Sequence, residues 1–262
     1  MKDDAAKKQE PVSKPGAILP LTNIAIAERA VARLLFRGPL DPGLVVFSGP
    51  SGFGKSVAAA WIKARHPSYY VQADDFWTKK TMLVAISRAM GLFYYRGKGE
   101  NKREYWPEIN VMADAIKAQL EQSRRILIID EFDYCVDKNL VEAVRSLYEG
   151  SKAAILLIGE EALPQKLEQW ERFHGRILDW FMAEPVGLSD ARELARAKCT
   201  NATVADCLLE HLIKLSGGST RRVSNNLDII HDEAADQGWD SVDLATWGAR
   251  KLQTGKAPRR GV

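Results

Sequence analysis

Two short stretches bring together residue types whose spacing can do chemistry. The first is Gly49-Pro50-Ser51-Gly52-Phe53-Gly54-Lys55-Ser56, which fits G-x-x-x-x-G-K-[ST] at every fixed position. Glycines in this order let the backbone wrap a phosphate with its N–H groups pointing inward, and a following helix adds the positive end of its dipole. Lys55 is then expected to reach the β- and γ-phosphates of ATP, and the Ser56 hydroxyl to hold Mg²⁺. The second stretch is Ile126-Leu-Ile-Ile-Asp130-Glu131. An aspartate at the carboxyl end of a buried strand can hold the water shell of Mg²⁺ beside a phosphate loop. Glu131, next to it, is placed to orient and deprotonate an attacking water.

Such residues need a scaffold, and the flanking sequence reads as one. Leu44 to Phe47 has the length and β-branched content of a buried strand, and Val57 to Ala64 reads as an alanine-rich helix. Before the loop, Asn23 to Arg37 is helical in pattern and Gly38-Pro-Leu-Asp-Pro-Gly43 breaks it. After it come a strand at 69–72, a helix from about Lys80 to Met90, a basic and aromatic irregular stretch over 94–107, and a helix to about Gln122. The strand ending at Asp130 is followed by helix 139–149, strand 154–158, a helical segment at 161–172 and a fifth strand at 176–183. Continuously apolar strands alternating with helices predict an α/β fold with a parallel sheet covered on both faces.

The pattern changes after Glu184-Pro-Val-Gly187. Segments 189–198, 203–215, 219–236 and 240–252 all read as helix, which predicts a small all-helical domain. The expected organisation is a disordered tail over 1–17, an α/β core over 18–186, a helical domain over 187–252 and a basic tail over 253–262. Leu215-Ser-Gly-Gly-Ser219 is best explained as a helix-capping turn.

Composition narrows the classes. The chain has 262 residues, 46% of them hydrophobic, and a net charge of only +3, so any polyanion site must come from local clustering. Cys135, Cys199 and Cys207 form no C-x-x-C pair and read as reduced, structural thiols, and the four histidines are scattered. No apolar run approaches membrane-spanning length and the amino terminus has no signal-peptide core, so an intracellular soluble protein is expected.

A phosphate loop, a buried strand ending Asp130-Glu131 and a helical domain carrying Gly218-Ser-Thr-Arg221 together resemble the AAA+ ATPases, P-loop NTPases with a C-terminal helical lid. The resemblance implies that Arg221 occupies the sensor 2 position, where the lid reaches back to the γ-phosphate. It places the sensor 1 position at Gly159-Glu160, where Asn or Thr is more usual. Within the family, Leu157-Ile-Gly-Glu-Glu-Ala-Leu163, a helix, and Arg172-Phe-His-Gly-Arg176-Ile177 are similar to the branch of DNA transposition ATPases that contains MuB, TnsC and TniB. That branch implies an ATP-dependent ring or helical filament of identical subunits on double-stranded target DNA, a transposase as partner, and the cytoplasm of a bacterial host. It also implies an arginine finger in trans, for which Arg172 and Arg176 match the region. The sequence reads as starting almost directly with the ATPase, so no counterpart of the amino-terminal helix-turn-helix domain of phage Mu MuB is expected, and DNA contacts are expected from the ATPase body.

Two basic clusters are candidates for those contacts. Lys79 and Lys80 open the helix after the second strand. Arg96, Lys98, Lys102 and Arg103 lie among Tyr94, Tyr95, Tyr105 and Trp106. Basic side chains neutralise phosphates without reading sequence, and aromatics stack or anchor the loop. Two other functions stay open: a replication initiator or loader of the ORC/Cdc6 kind, in which a winged helix usually follows the lid, and a nucleotide-switched interaction module with little hydrolysis.

Overall fold

The computed structural model describes residues 18–97 and 102–255. They divide into two compact units, one formed by Thr22–Glu184 and the other by residues 18–21 and 185–255.

The first unit is built on strands β1 (Leu44–Ser48), β2 (Ser68–Gln72), β3 (Ile126–Asp130), β4 (Ile155–Gly159) and β5 (Ile177–Met182). They form a parallel five-stranded sheet in the order β2-β3-β4-β1-β5. β1, β3 and β4 are buried at every residue, which is why they read as unbroken apolar runs instead of alternating. Around the sheet lie α1 (Thr22–Leu35), α2 (Lys55–Arg65), α3 (Lys79–Ala89), α4 (Ile109–Ser123), α5 (Asp133–Asp137), α6 (Val141–Ser151), α7 (Leu163–Glu168) and α8 (Glu171–His174). Met82 and Ile86 of α3, Met112, Ile116 and Leu120 of α4, and Val144 and Leu147 of α6 close one core against Leu127 and Ile129 of β3. α1 and α2 pack on one another, and α1 also packs on β1. Because all five strands run the same way, their carboxyl ends share one edge, and that edge carries the loops of interest.

The sequence reading differs from this structure in three places of the first unit. The expected helix at 161–172 is two short helices, because Trp170 leaves helical geometry at φ −103 and ψ 64. A short helix, α5, follows Asp130-Glu131 where none was expected. Within the stretch 94–107, expected to be irregular, Tyr95–Arg96 and Arg103–Glu104 pair as a two-residue antiparallel ribbon, with Lys102 lying 4.2 Å from the Tyr95 ring and Arg96 4.7 Å from that of Tyr105.

The second unit contains α9 (Leu188–Lys198), α10 (Asp206–Ser216), α11 (Thr220–Gln237) and α12 (Leu244–Trp247). It is not all helical. Thr203–Val204 and Ser241–Val242 form a short parallel ribbon, and the last helix ends at Gly248 (φ 61) instead of continuing to 252. Gly217 (φ 61) caps α10 in the left-handed region that a side chain disfavours, as expected for the Gly-Gly turn. Leu19 and Leu21 pack on this unit's core, so residues 18–21 fall with the helical unit and not with the α/β core. Gln253 is tied down by two hydrogen bonds with the Asn226 side chain. Burial pushes the thiols of Cys135 and Cys199 up to about 12, which keeps both protonated and inert. Among the described residues no helix is long and apolar enough to cross a membrane, and no cluster of His, Cys, Asp and Glu has metal-binding geometry.

Candidate functional site

The phosphate loop turns from the end of β1 into α2. Gly52 and Gly54 lie at φ 84 and 87, which L-residues rarely adopt, and Gly54 forms the N-cap of α2. Gly49 has a different constraint: a Cβ there would sit 2.7 Å from the Cβ of Ala183, the residue just past the end of the neighbouring strand β5. Lys55 and Ser56 are the first two residues of α2, so the backbone N–H groups of the loop and of the helix start converge. Lys55 Nζ donates to the carbonyls of Gly49 (2.6 Å) and Pro50 (3.0 Å), which holds the ammonium across the loop. Burial lowers its pKa, while Glu131, Glu160, Asp130 and Asp133 oppose the shift. The structure therefore gathers the phosphate loop, the Asp-Glu pair, Asp133 and Glu160 around one ammonium.

Asp130, at the end of β3, is only 1% exposed, and both carboxylate oxygens have partners. Oδ1 accepts from the Glu131 N–H at 2.9 Å and Oδ2 from the Tyr70 hydroxyl at 3.0 Å. Glu131 itself sits at φ 55, a left-handed conformation that costs a non-glycine residue about 1–3 kcal/mol and is concentrated at functional sites. The strand edge holds it there through the Phe132 N–H, which donates to Ile158 O of β4. Burial raises the Glu131 pKa, and the neighbouring Asp130 adds to the shift, as suits a proton acceptor. A hydroxyl and a carboxylate are few, hard, oxygen-only donors. That set fits Mg²⁺, which keeps several waters and shares its shell with phosphate oxygens.

Three positioning residues escaped the sequence reading. Asn23 in the first turn of α1 is buried and clamps the loop: its Nδ2 donates to Phe53 O (2.8 Å) and Glu184 O (2.7 Å), and its Oδ1 accepts from Glu184 N. Asp133 accepts from the Glu160 N–H at 2.6 Å. Its carboxylate and Leu163 fill the space that a Cβ on Gly159 would need, which gives a steric reason for glycine before Glu160. Tyr70 bonds Asp130 from the adjacent strand. A polar residue opening an apolar helix was the only signal for Asn23, and an acid two residues beyond Glu131 the only one for Asp133; Tyr70 gave none.

The two finger candidates differ. Arg176 Nε donates to Glu149 at 3.1 Å, and Glu149 also binds Arg145 at 2.6 Å. Arg172 is exposed on α8 and has no ion pair among the described residues. Arg221 is exposed in the first turn of α11, in the helical unit.

Lys79 and Lys80 open α3, whose first turn has no acidic residue and whose N-cap is closed by reciprocal bonds between Thr78 and Thr81. Two cations at the positive end of a helix work against its dipole. Arg96 and Arg103 are direct cross-strand neighbours in the ribbon, another like-charge arrangement that disfavours the fold. None of Lys79, Lys80, Arg96, Lys102 and Arg103 has a carboxylate partner among the described residues. Lys98 lies outside them, as do the tail residues Lys256, Arg259 and Arg260.

Residues 40–167 match the family model described as an AAA domain. Among solved structures, the fold is similar to Cdc6p from Pyrobaculum aerophilum, with a TM-score of 0.59 at 14% identity over 87% of this chain and 66% of that one. It is similar to the Aeropyrum pernix ORC1 protein in complex with DNA, with a TM-score of 0.56 at 16% identity over 85% of this chain and 63% of the other. Domain III of the replication initiation protein DnaA from Thermotoga maritima gives a TM-score of 0.51 at 17% identity, over 90% of each chain. This chain thus spans about two thirds of the Cdc6p and ORC1 chains. Comparison with curated protein sequences gives no match. The fold is an α/β fold with a parallel five-stranded sheet, similar to that of AAA-type P-loop ATPase domains, with a helical C-terminal region.

Proposed function

We propose that this protein is an ATPase that associates with double-stranded DNA in an ATP-dependent, sequence-nonspecific way, as an assembly of identical subunits. The observation that carries the nucleotide half of this reading is the convergence of Lys55, Asp130 and Glu131 at one sheet edge, with Glu131 held at positive φ. Lys55 binds the β- and γ-phosphates, Ser56 and Asp130 hold Mg²⁺, and Glu131 takes the proton of the attacking water. Mg²⁺, when bound, neutralises charge on the phosphate oxygens. Arg172, which has no ion pair among the described residues, is the better candidate for a finger that completes the neighbouring subunit's site, and Arg221 is the residue proposed for the γ-phosphate.

Support for the DNA half comes from five cations with no carboxylate partner among the described residues, four of which, Lys79, Lys80, Arg96 and Arg103, the fold places against its own electrostatic preference. Lys79, Lys80, Arg96, Lys102 and Arg103 gain from a polyanion the acidic partner they lack among the described residues, and contacts of this kind to phosphate carry no sequence information. The MuB/TnsC-like motif over 157–177 favours transposition target DNA as the substrate and a transposase as the partner. Replication initiation is the second reading, favoured by the fold's likeness to Cdc6p, ORC1 and DnaA domain III. Electron microscopy with DNA and a slowly hydrolysed ATP analogue tests the proposal. Ordered rings or filaments on DNA that disperse in ADP are expected, and monomers in every nucleotide state would contradict it.

A further inference from the structure

A buried carboxylate must be held by donors, and which donors hold it decides where its free lone pairs point. For Asp130 one donor is local, the N–H of the next residue, and would accompany any Asp-Glu turn of this shape. The other is not local. Tyr70 lies on β2 opposite Ile128, two residues before Gln72, the residue paired with Asp130. Two residues of strand rise about 6.6 Å. A tyrosine spans that distance from its backbone to its hydroxyl, and its Oη reaches Asp130 Oδ2 at 3.0 Å. Serine, threonine or asparagine at position 70 would fall short, and phenylalanine would reach without donating. A tyrosine hydroxyl carries its proton at neutral pH, so Tyr70 serves as a donor to the carboxylate.

We infer that Tyr70 is a positioning residue for the metal half of the nucleotide site: its hydroxyl fixes the Asp130 carboxylate in the orientation that receives Mg²⁺. The inference rests on the ATPase reading above and adds to it a division of labour. Lys55 and the loop backbone hold phosphate whether or not metal is present, whereas the Tyr70–Asp130 pair governs the metal alone. Hydrogen-bond partners of metal-holding groups are typically worth about tenfold to a hundredfold in metal affinity.

Tyr70→Phe tests this, because it keeps the ring and removes only the donor. Two affinities are measured: ADP binding in EDTA, and Mn²⁺ binding in the presence of ADP, followed by electron paramagnetic resonance. The expected result is unchanged ADP binding in EDTA with Mn²⁺ affinity lowered about tenfold, and a matching rise in the Mg²⁺ needed for half-maximal turnover. In an Asp130→Asn background, Tyr70→Phe should add less than about twofold, since the two residues act through one bond. Mn²⁺ affinity within about twofold of wild type, or additive losses in the double variant, overturns the inference. So does a loss of ADP binding in EDTA, because the tyrosine would then hold the fold and not the metal site. Wild-type protein that binds no ADP at all contradicts the nucleotide reading itself, a failure distinct from an unaffected Tyr70→Phe.

Discussion

The nucleotide edge of the sheet and the basic ribbon of Tyr95–Arg96 and Arg103–Glu104 are both candidate sites for phosphate, built on opposite principles. At the sheet edge the chain uses backbone: glycines at positive φ, a helix start, and a buried carboxylate held from two sides. On the ribbon it uses exposed side chains, with Lys102 and Arg96 laid on tyrosine faces and two arginines directly opposed. The first geometry selects one ligand in one pose. The second offers charge without a fixed register, which suits a repeating backbone of phosphates. Changes at the sheet edge should therefore act as switches, and changes on the ribbon as graded losses.

Lys55→Ala should give the largest effect. Removing the partly buried ammonium should weaken ATP binding by about two orders of magnitude or more, and ATP-dependent DNA association should go with it, as read by fluorescent-nucleotide titration and DNA pull-down. Next in size is Glu131→Gln, for which nucleotide binding and assembly should persist while turnover falls about 10²- to 10⁴-fold in a phosphate-release assay. Survival of turnover within a few-fold would remove Glu131 as the base. Mixing sharpens the comparison between Arg172 and Arg176: an Arg172→Ala protein combined with Lys55→Ala should regain ATPase activity. Arg176→Ala, which breaks the pair with Glu149, should need no such complementation. Gly159→Ala should cost about 1–3 kcal/mol in thermal or denaturant unfolding, because a Cβ would collide with Asp133 and Leu163. The smallest effect belongs to the ribbon: alanine at Arg96, Lys102 and Arg103 should flatten the log–log salt slope of DNA binding by roughly one unit per lost contact and leave ATP affinity unchanged.

Legibility in the sequence follows the same division. The phosphate loop and Asp130-Glu131 could be read because glycine, lysine and a buried aspartate are required at fixed spacings, and the strands because burial on both faces demands unbroken apolar runs. The ribbon was read as irregular, since two residues per strand are too few to show alternation and its pairing rests on cross-strand ring contacts. The short ribbon of the helical unit at 203–204 and 241–242 stayed hidden for the same reason. Tyr70, Asn23 and Asp133 act through partners 60, 30 and 27 residues away, a relation that only the sheet order and the packing of α1 and α5 create.

The central claim is that occupancy of the sheet edge controls grip on DNA. Its most direct test is the affinity of the wild-type protein for one DNA duplex, measured by fluorescence anisotropy in a slowly hydrolysed ATP analogue, in ADP and without nucleotide. Tight, salt-sensitive binding in the analogue alone, indifferent to the duplex sequence, is the result expected. Equal affinity in all three states would contradict the claim, leaving the ribbon a DNA-binding surface that ATP does not govern.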